Sequence, residues 1–460
     1  YNIDYIHQEK NVQDFFKQRL LPHKLSQNGP CLAVGDINGD GTEDFIVGSS
    51  SVYSPVVYFQ NSQSTFDSKN LFTAEEDKRY EVESMTLFDA DQDGDLDLYL
   101  VSGGNQFEAG SELYNDRLLI NDGYGNFVND LKRIPNLNAN GCVVRPIDYD
   151  SDGDIDLFIG GHNKPGAFPL ADKSYLLNNN NGNFEDFTNA VLPDLDQFGL
   201  VTDAQWADLN KDRREDLILV GEYSPVAIFL NLNSGFQRLS SKTLDEAMGL
   251  WRCIEVVDFD DDGDLDLLLG NLGKNNMLSV SPETPLIIST RDLDKNGSVD
   301  PLMFNSQQNK NGEWDMFPVQ FWDNLTQQSP LFRKEFNSYH AFSKANMNYY
   351  QEKEYLIKDS LLSAKHDTSK WLENLGSNTF KLNVLPDPLQ LGPINDFLVI
   401  ETAQDQSVFV IGNDFGGPPF EGNFDAFQGA IINTNTMGNK KVLEAQDSGF
   451  HVFGDAREIS

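Results

Sequence analysis

Residues 89–101 read DADQDGDLDLYLV, and this stretch decides the fold because its pattern returns along the chain. The pattern is D-x-[DN]-x-[DN]-G-x-x-D, followed directly by an apolar, branched run. Chance would supply roughly a hundredth of one match at these residue frequencies, so the copies form a true internal repeat. Five copies are intact and one replaces the glycine, and they begin at Asp36, Asp89, Asp148, Asp208, Asp258 and Asp292.

Alternate residues of each copy carry oxygen atoms. Calcium prefers six to eight oxygen ligands at about 2.3–2.6 Å, and alternate carboxylates in a tight loop converge on one point. The residue after the turn adds its backbone carbonyl. The sequence therefore predicts up to six structural Ca²⁺ ions. The predicted ligands are Asp36, Asn38, Asp40, Thr42 and Asp44; Asp89, Asp91, Asp93, Asp95 and Asp97; Asp148, Asp150, Asp152, Asp154 and Asp156; Asp208, Asn210, Asp212, Arg214 and Asp216; Asp258, Asp260, Asp262, Asp264 and Asp266; Asp292, Asp294, Asn296, Ser298 and Asp300.

These loops are not EF-hands, although the spelling is similar. An EF-hand needs flanking helices and a bidentate Glu at loop position twelve. All six copies carry an apolar residue there, such as Val47 and Leu100. The run after each loop is short, branched and aromatic, which favours a buried strand. Each loop is therefore predicted to join two strands.

The spacing of the copies predicts the architecture. Starts at 36, 89, 148, 208 and 258 are 53, 59, 60 and 50 residues apart, which suits one four-stranded blade per repeat. A second recurrent element, such as Leu118–Phe127, predicts an outer hairpin in each blade, with a fainter echo at Trp371–Phe380. We predict an all-β fold, a seven-bladed β-propeller with calcium loops in six blades, as a single domain over residues 1–460.

The repeat changes after the sixth loop, which starts only 34 residues after the fifth. Residues 396–413 have a strand, turn, strand outline without ligands and are predicted as a seventh blade that lacks a metal site. Between them, apolar residues at spacings of three and four predict a helical insertion over residues 321–365, which starts near Ser329 and Pro330. It would be either a packed cap or an element that docks a partner. A smaller insertion, residues 105–116, is predicted as a solvated loop, with ligand contact as the alternative.

The six loops are predicted to differ in affinity. Arg213 stands at the turn glycine of the fourth loop, with Arg214 beside it, so a cation can approach the ligands. We expect this loop to bind calcium most weakly, with an arginine salt bridge as one way of replacing the ion. The second, third and fifth loops carry a carboxylate at every ligand position and should bind most strongly.

The three cysteines each fall five or six residues before a loop: Cys31, Cys142 and Cys253. That position places them on equivalent strands of three different blades, too far apart for a disulfide. They are predicted to be free thiols that behave as small apolar residues.

Charge excludes several classes of partner. The chain has 72 acidic and 34 basic residues, a net charge of −38, and no basic face for nucleic acid. No stretch reaches the roughly 18 apolar residues of a membrane-spanning helix, so direct membrane insertion is not expected.

Catalytic motifs are missing from the sequence: the histidines form no H-E-x-x-H, and neither G-x-S-x-G nor a phosphate-binding loop occurs. We predict that the protein is not an enzyme.

The repeats resemble the FG-GAP/VCBS repeats of integrin α-subunit propellers and of many secreted bacterial proteins. Four further segments resemble parts of surface VCBS proteins of Bacteroidota of the ASPIC/UnbV type: 20–26 (LLPHKLS), 220–225 (VGEYSP), 249–251 (GLW) with 270–273 (GNLG), and 449–454 (GFHVFG). This resemblance implies a place at the extracellular or outer-membrane surface of a Gram-negative bacterium. It also implies that the chain is the mature or trimmed part of a longer protein.

Taken together, we predict a calcium-binding extracellular module for binding or assembly, with a protein partner at the cell surface. The resemblance suggests an accessory subunit of an outer-membrane barrel complex of the SusC/SusD import type. Two alternatives stay open. One is a propeller that binds or cleaves carbohydrate, which makes a glycan a candidate ligand. The other is an adhesin that recognises a protein ligand through a metal with an open coordination position.

Overall fold

The computed structural model describes residues 3–402, 405–418, 420–435 and 440–460. Within these residues the strands form seven antiparallel sheets, which confirms the all-β prediction. The strands in chain order are β1 (Leu32–Gly35), β2 (Asp44–Val47), β3 (Val56–Gln60) and β4 (Phe66–Asn70) of sheet 1; β5 (Val82–Phe88), β6 (Asp97–Ser102), β7 (Arg117–Ile120) and β8 (Val128–Asn129) of sheet 2; β9 (Gly141–Ile147), β10 (Asp156–Gly161), β11 (Tyr175–Asn180) and β12 (Asn183–Asp186) of sheet 3; β13 (Leu200–Ala207), β14 (Asp216–Ser224), β15 (Ala227–Leu232), β16 (Gly235–Arg238) and β17 (Gly249–Leu250) of sheet 4; β18 (Cys253–Val257) and β19 (Asp266–Gly270), which begin sheet 5; β20 (Leu286–Ser289), β21 (Met303–Gln308), β22 (Trp314–Pro318) and β23 (Leu361–Ala364), which form the inserted sheet; β24 (Lys370–Asn374) and β25 (Phe380–Val384), which complete sheet 5; and β26 (Ile394–Glu401), β27 (Asp405–Gly412), β28 (Ala430–Asn435) and β29 (Lys440–Glu444) of sheet 6.

The helices are short. The α-helices are α1 (Asp14–Lys17), α2 (Thr188–Val191), α3 (Lys242–Glu246), α4 (Trp322–Gln328), α5 (Pro330–Glu335), α6 (Tyr339–Phe342), α7 (Met347–Glu352) and α8 (Ala445–Ser448), and 3-10 turns lie at Asp77–Arg79, Glu112–Tyr114, Pro193–Gln197, Lys358–Ser360 and Asp387–Gln390. In the described part of the chain, no helix has the length and apolarity needed to cross a membrane.

Sheets 1 to 5 each have the predicted plan of inner strand, acidic loop, middle strand and outer hairpin. In sheet 2, Phe88 of β5 pairs with Asp97 of β6, so the loop that begins at Asp89 closes a hairpin. The middle strands β6, β10, β14 and β19 are buried along their whole length. They are covered on both faces by neighbouring sheets, which explains why these runs are continuously apolar rather than alternating.

The core is divided among the spaces between consecutive sheets. One apolar cluster lies between sheets 1 and 2, and others follow between each next pair up to sheets 5 and 6. The inner strands β1, β5, β9, β13, β18 and β26 contact one another in that order. Near the C-terminus, the Ala456 N–H donates to Gly412 of sheet 6, and the Glu458 carboxylate accepts from the Leu32 N–H beside sheet 1. This is a propeller-like arrangement of repeated blades.

The inserted sheet explains the short step between the fifth and sixth loops. Seven sheets are present among the described residues, but this one enters the chain between β19 and β24, before sheet 5 is complete. The predicted outer hairpin at Trp371–Phe380 is β24 and β25, which pair with β19. The sixth loop therefore belongs to a sheet outside the series of touching inner strands. The predicted last blade at 396–413 is β26 and β27, whose intervening residues 403 and 404 lie outside the described residues.

Helices occupy most, but not all, of the predicted helical insertion at residues 321–365. Helices α4 to α7 occupy residues 322–352, and residues 361–364 form strand β23 rather than helix. Ser329 caps α5 by accepting from the Leu331 N–H, as the Ser-Pro pair predicts. The apolar faces pack on the inserted sheet, with Phe332 and Tyr350 fully buried. Helical spacing here reports a packed core.

The insertion at residues 105–116 is solvated only in its middle, where residues 108–110 are exposed, whereas both of its ends are buried. Asn105 donates to the Asp14 carboxylate and accepts from the Gly166 N–H. Asp116 accepts from the Tyr99 hydroxyl and the Ser102 N–H. The segment ties the N-terminal region to sheets 2 and 3.

Candidate calcium loops and axial cavity

All six acidic loops close in the same way. The first aspartate of each loop accepts a hydrogen bond from the N–H of the residue at the turn position, as Asp89 does from Gly94 at 3.1 Å and Asp148 from Gly153 at 3.1 Å. The turn residue has a left-handed backbone, with φ of +94° at Gly94. Glycine has no steric cost in that conformation, which explains its place in the pattern.

In the first, second, third and fifth loops, the last aspartate joins the loop to the outer strand. Asp97 accepts from the Ala90 N–H at 3.0 Å and from the Asn121 N–H at 2.8 Å. Asp44, Asp156 and Asp266 make the equivalent pair of bonds. Burial raises the pKa of Asp97 to about 6 and that of Asp156 to about 7. A divalent cation opposes this shift because its charge favours the ionised carboxylate.

Four loops bring three carboxylates together, with ligand oxygens within 4.8 Å of one another. The trios are Asp89, Asp91 and Asp97; Asp148, Asp150 and Asp156; Asp258, Asp260 and Asp262; and Asp292, Asp294 and Asp300. Buried oxygens of Asp89, Asp91 and Asp260 have no hydrogen-bond partner among the described residues. The other oxygen of Asp91 is 2.8 Å from the Arg133 guanidinium. Converging carboxylates that keep unpaired oxygens are the ligand set that a hard cation satisfies, so these loops fit Ca²⁺.

Two predicted loops do not form such a trio. In the first loop, Asn38 replaces one carboxylate, and Asp36, Asp40 and Asp44 do not meet within that distance. In the fourth loop, Asp208, Asp212 and Asp216 do not meet either.

The fourth loop holds a cation of its own. The Arg214 guanidinium lies 2.5 Å from the Asp212 carboxylate and donates to the Asn231 carbonyl at 2.7 Å. Arg213 takes the left-handed turn conformation, with φ of +69°, and its N–H still bonds Asp208 at 2.7 Å. The predicted arginine salt bridge is therefore present, and Arg214 makes it.

The remaining predicted ligands lie in the loops but outside the trios, and some connect neighbouring loops. Gln92 of the second loop donates to the Gly153 carbonyl at 3.0 Å and to the Asp154 carboxylate of the third. Lys211 of the fourth loop pairs with Asp264 of the fifth. The predicted ligands in these two contacts are Asp154 and Asp264. The other predicted ligands outside the trios are Asp93, Asp95, Asp152, Asp266, Asn210, Asn296, Thr42 and Ser298.

In sheets 2 to 5, a repeated asparagine links the sheet to the acidic loop of the preceding sheet. The Asn179 amide donates to the carbonyls of Ala90 in the second loop and Ile155 in the third, at 2.9 and 3.0 Å. Asn121, Asn231 and Asn374 make the matching contacts to Ile37, Tyr149 and Leu209. Each is buried, and its own N–H is held by the last loop aspartate. The sequence predicted asparagine in these outer hairpins only as a turn residue.

The opposite ends of the inner strands enclose a cavity of about 450 Å³, named here the axial cavity. Cys31, Cys142 and Cys253 line it from three different sheets, and all three are free thiols, as predicted. Burial raises the pKa of each thiol well above its usual value. An ion pair forms part of the cavity wall, where Arg145 Nη2 is 2.6 Å from Asp203 Oδ1. Spacing alone could not predict this cavity because its polar residues do not repeat.

A second cavity of about 570 Å³, the side cleft, lies between the inserted sheet and the main body. Its wall includes Leu250, Leu278 and Phe321. The two cavities share four lining residues, which are His23, Glu222, Arg252 and Asp414. The cleft and the axial cavity therefore meet at one polar junction.

Comparison with known proteins identifies the repeats. The FG-GAP-like repeat family matches residues 36–100, 148–219 and 208–269, so the chain contains FG-GAP-like repeats. No match was found among curated proteins.

Solved structures resemble the chain only distantly. An Agrocybe aegerita lectin, described as recognising non-reducing terminal N-acetylglucosamine, is 15% identical with a TM-score of 0.27 over 67% of this chain and 84% of that chain. The V. cholerae biofilm matrix protein Bap1 is 13% identical with a TM-score of 0.26 over 92% and 73%. Saccharomyces cerevisiae Sqt1 is 8% identical with a TM-score of 0.33 over 93% and 97%. At these TM-scores the similarities carry no functional argument.

Proposed function

We propose that this chain, with its FG-GAP-like repeats, is a calcium-stabilised binding module that acts outside the cell and is not a catalyst. The observation that carries the proposal is the set of four carboxylate trios within 4.8 Å, some of whose buried oxygens have no partner among the described residues. Six calcium-type loops closed by one hydrogen-bond scheme argue for repeated structural sites rather than one active centre.

The position of the loops supports a structural role for the ions. In four loops the last aspartate bonds its own loop and the outer strand, and four asparagines each bond the preceding loop. A cation held by the same aspartate stabilises both the hairpin and the contact between blades. Binding would then be performed by residues at the other end of the strands, on a scaffold that the ions hold rigid.

The absence of catalysis is part of the proposal. The patterned acids are occupied in loop closure, and their positions are set by the repeat rather than by a substrate site. We propose a protein partner at the surface of a Gram-negative bacterium, namely an outer-membrane barrel complex of the SusC/SusD type. The support for this setting is the resemblance of the short segments, two of which contain His23 and Glu222 at the polar junction.

Equilibrium dialysis against calcium, followed by elemental analysis, tests the scaffold. We expect at least four ions per chain, one for each trio. Magnesium at the same concentration is the control, because its small octahedral shell fits such loops poorly. A calcium content below one ion per chain would refute the proposal.

An affinity pull-down from the source membrane, with calcium or with EGTA, tests the partner. Recovery of an outer-membrane barrel with its lid protein in calcium supports the accessory-subunit role. Recovery of the folded, calcium-loaded chain alone would contradict that role and leave the calcium scaffold standing.

A further inference from the structure

The polar junction between the side cleft and the axial cavity contains a carboxylate with an unused oxygen. Glu222 is only 7% exposed and lies at the end of β14, away from the calcium loops. Its Oε1 is 2.7 Å from His23 Nε2, while its Oε2 has no hydrogen-bond partner among the described residues. A buried carboxylate oxygen that lies beside a cavity and has no partner is placed to accept a hydrogen bond from a ligand.

The protonation states at the junction follow from its contacts. Burial opposes ionisation of Glu222, but the nearby charge of His23 outweighs it and lowers the pKa of Glu222 to about 2. The reverse effect raises the pKa of His23 to about 9. Near neutral pH the pair is therefore ionised, and Glu222 Oε2 is purely an acceptor.

A second unused acceptor is the His162 ring. Burial lowers the pKa of His162, so the ring is neutral. Its Nδ1 lies 3.1 Å from Asn163 Oδ1, an atom that also accepts from the Asn140 amide and is thereby assigned as oxygen. The ring proton must then be on Nδ1, which leaves Nε2 with a lone pair and no partner in the described part of the chain.

The junction also offers a donor. Arg252 donates from Nε to Asn395 at 2.7 Å, and its Nη1 lies 3.1 Å from Asp414. These contacts leave the second amino group of the guanidinium without a partner among the residues described. A ligand in contact with these residues must therefore carry both hydrogen-bond donors and acceptors.

Charge balance narrows the ligand class further. His23 offsets Glu222, Arg252 offsets Asp414, and Arg457 lies 2.7 Å from Asp455. The four residues shared by the two cavities therefore carry no net charge. The axial cavity is also lined by Glu83, Asp396 and Glu458, and burial raises the pKa of each. An ammonium group cannot accept a hydrogen bond and a carboxylate cannot donate one, whereas a hydroxyl or an amide does both. Of these, a sugar combines several hydroxyls with an apolar ring face. The side cleft adds an apolar wall, where Phe321 and Phe420 contact each other with ring centroids 4.7 Å apart.

We propose that the junction is a carbohydrate-binding site, in which sugar hydroxyls bond Glu222, His162 and Arg252 while an apolar face or aglycone of the ligand occupies the side cleft. This inference rests on the proposed binding role and assigns it a site and a ligand class. The ligand enters past Met277 and Phe321, which are 71% and 50% exposed.

Calorimetric titration of the calcium-loaded chain with para-nitrophenyl and methyl glycosides of glucose, galactose, mannose and N-acetylglucosamine tests the site. At least one sugar should bind in both forms, and the aryl form should bind more tightly. Glu222→Gln should weaken both forms about tenfold or more, because a charged acceptor is lost. Phe321→Ala should remove only the advantage of the aryl form. Glu352→Gln, the same change on an exposed helix, is the matched control and should have no effect.

The possible outcomes separate this inference from the proposed function. Calcium content and melting temperature are measured for each variant, and His162→Leu replaces Glu222→Gln if the latter fails to fold. Absence of glycoside binding by folded, calcium-loaded protein would overturn the site while leaving the scaffold intact. Preferential binding of benzylammonium would overturn the ligand class. Binding that survives both Glu222→Gln and His162→Leu would overturn the location.

Discussion

The second and fourth loops have the same backbone but different chemistry. In the second, Asp89, Asp91 and Asp97 converge with buried oxygens left unpaired, even though Asp91 also pairs with Arg133 from outside the loop. In the fourth, Asp212 is paired with Arg214, and no trio forms. Both loops nevertheless close through the same bond from the turn N–H to the first aspartate. The loop fold therefore does not require a full ligand set, and a guanidinium can occupy part of the role of a cation.

Removal of calcium should have the largest effect. It tests whether loops that bring three carboxylates together, like the second loop, stabilise the fold by binding the ion. A site at a hundred times its dissociation constant contributes about 2.7 kcal/mol to the free energy of unfolding, so several sites together should lower the melting temperature strongly in EGTA. Differential scanning calorimetry in calcium and in EGTA at equal ionic strength measures the difference. Equal melting temperatures would show that the loops are stable as they stand.

The first aspartate allows a matched comparison of the two loops. Asp89→Asn removes a ligand charge and should cost about 2 kcal/mol of unfolding free energy in calcium but little in EGTA, because the lost term is ion binding. Asp208→Asn, the same change in the fourth loop, should cost much less under both conditions. Urea denaturation measures all four values. A similar calcium-dependent loss in both variants would show that the fourth loop also binds an ion.

The bonds between blades should matter at either type of loop. Asn179→Ala leaves the carbonyls of Ala90 and Ile155 without their donor, which should cost about 2 kcal/mol in calcium and in EGTA alike. Its exposed neighbour provides the control, Asn180→Ala, which should stay within about 0.5 kcal/mol of the parent. If the loss at Asn179 vanished in EGTA, the asparagine would act only through the calcium site.

The repeated end of the molecule could be predicted from the sequence, and the other end could not. Alternate aspartates, a turn glycine and an apolar run are local patterns, and they predicted the hairpins at all six loops. The recurrent outer element likewise predicted the hairpin at Trp371–Phe380. The route of the chain through the inserted sheet is set by long-range pairing of β19 with β24 across 99 residues that lie between them, which no local pattern encodes. Likewise His23, His162 and Glu222 meet only after folding, because they come from three separate segments.

The difference in ligand clusters between loops was predicted only in part. The replaced glycine marked the fourth loop as unusual, and the structure contains the expected arginine salt bridge there. The first loop also lacks a trio, although its glycine is intact and it departs from the full carboxylate set only at Asn38 and Thr42. The sixth loop also has three carboxylates at its ligand positions, but it forms a trio because its asparagine, Asn296, stands at the fifth position, whereas Asn38 and Asn210 stand at the third. The position of the replaced carboxylate therefore separates loops with and without a trio, which the turn residue and the ligand count do not.

The smallest expected effect comes from the turn residue of the fourth loop. Arg213 has a left-handed conformation that costs a non-glycine residue about 1 kcal/mol. Arg213→Gly removes this cost but adds chain entropy to the unfolded state, so the free energy of unfolding should rise by less than about 1 kcal/mol. Arg214→Ser separates this strain from the charge, because it frees Asp212 without changing the turn, and should add one calcium ion per chain in a titration. If Arg213→Gly added that ion and Arg214→Ser did not, the turn conformation rather than the guanidinium would be what keeps the fourth loop from binding calcium.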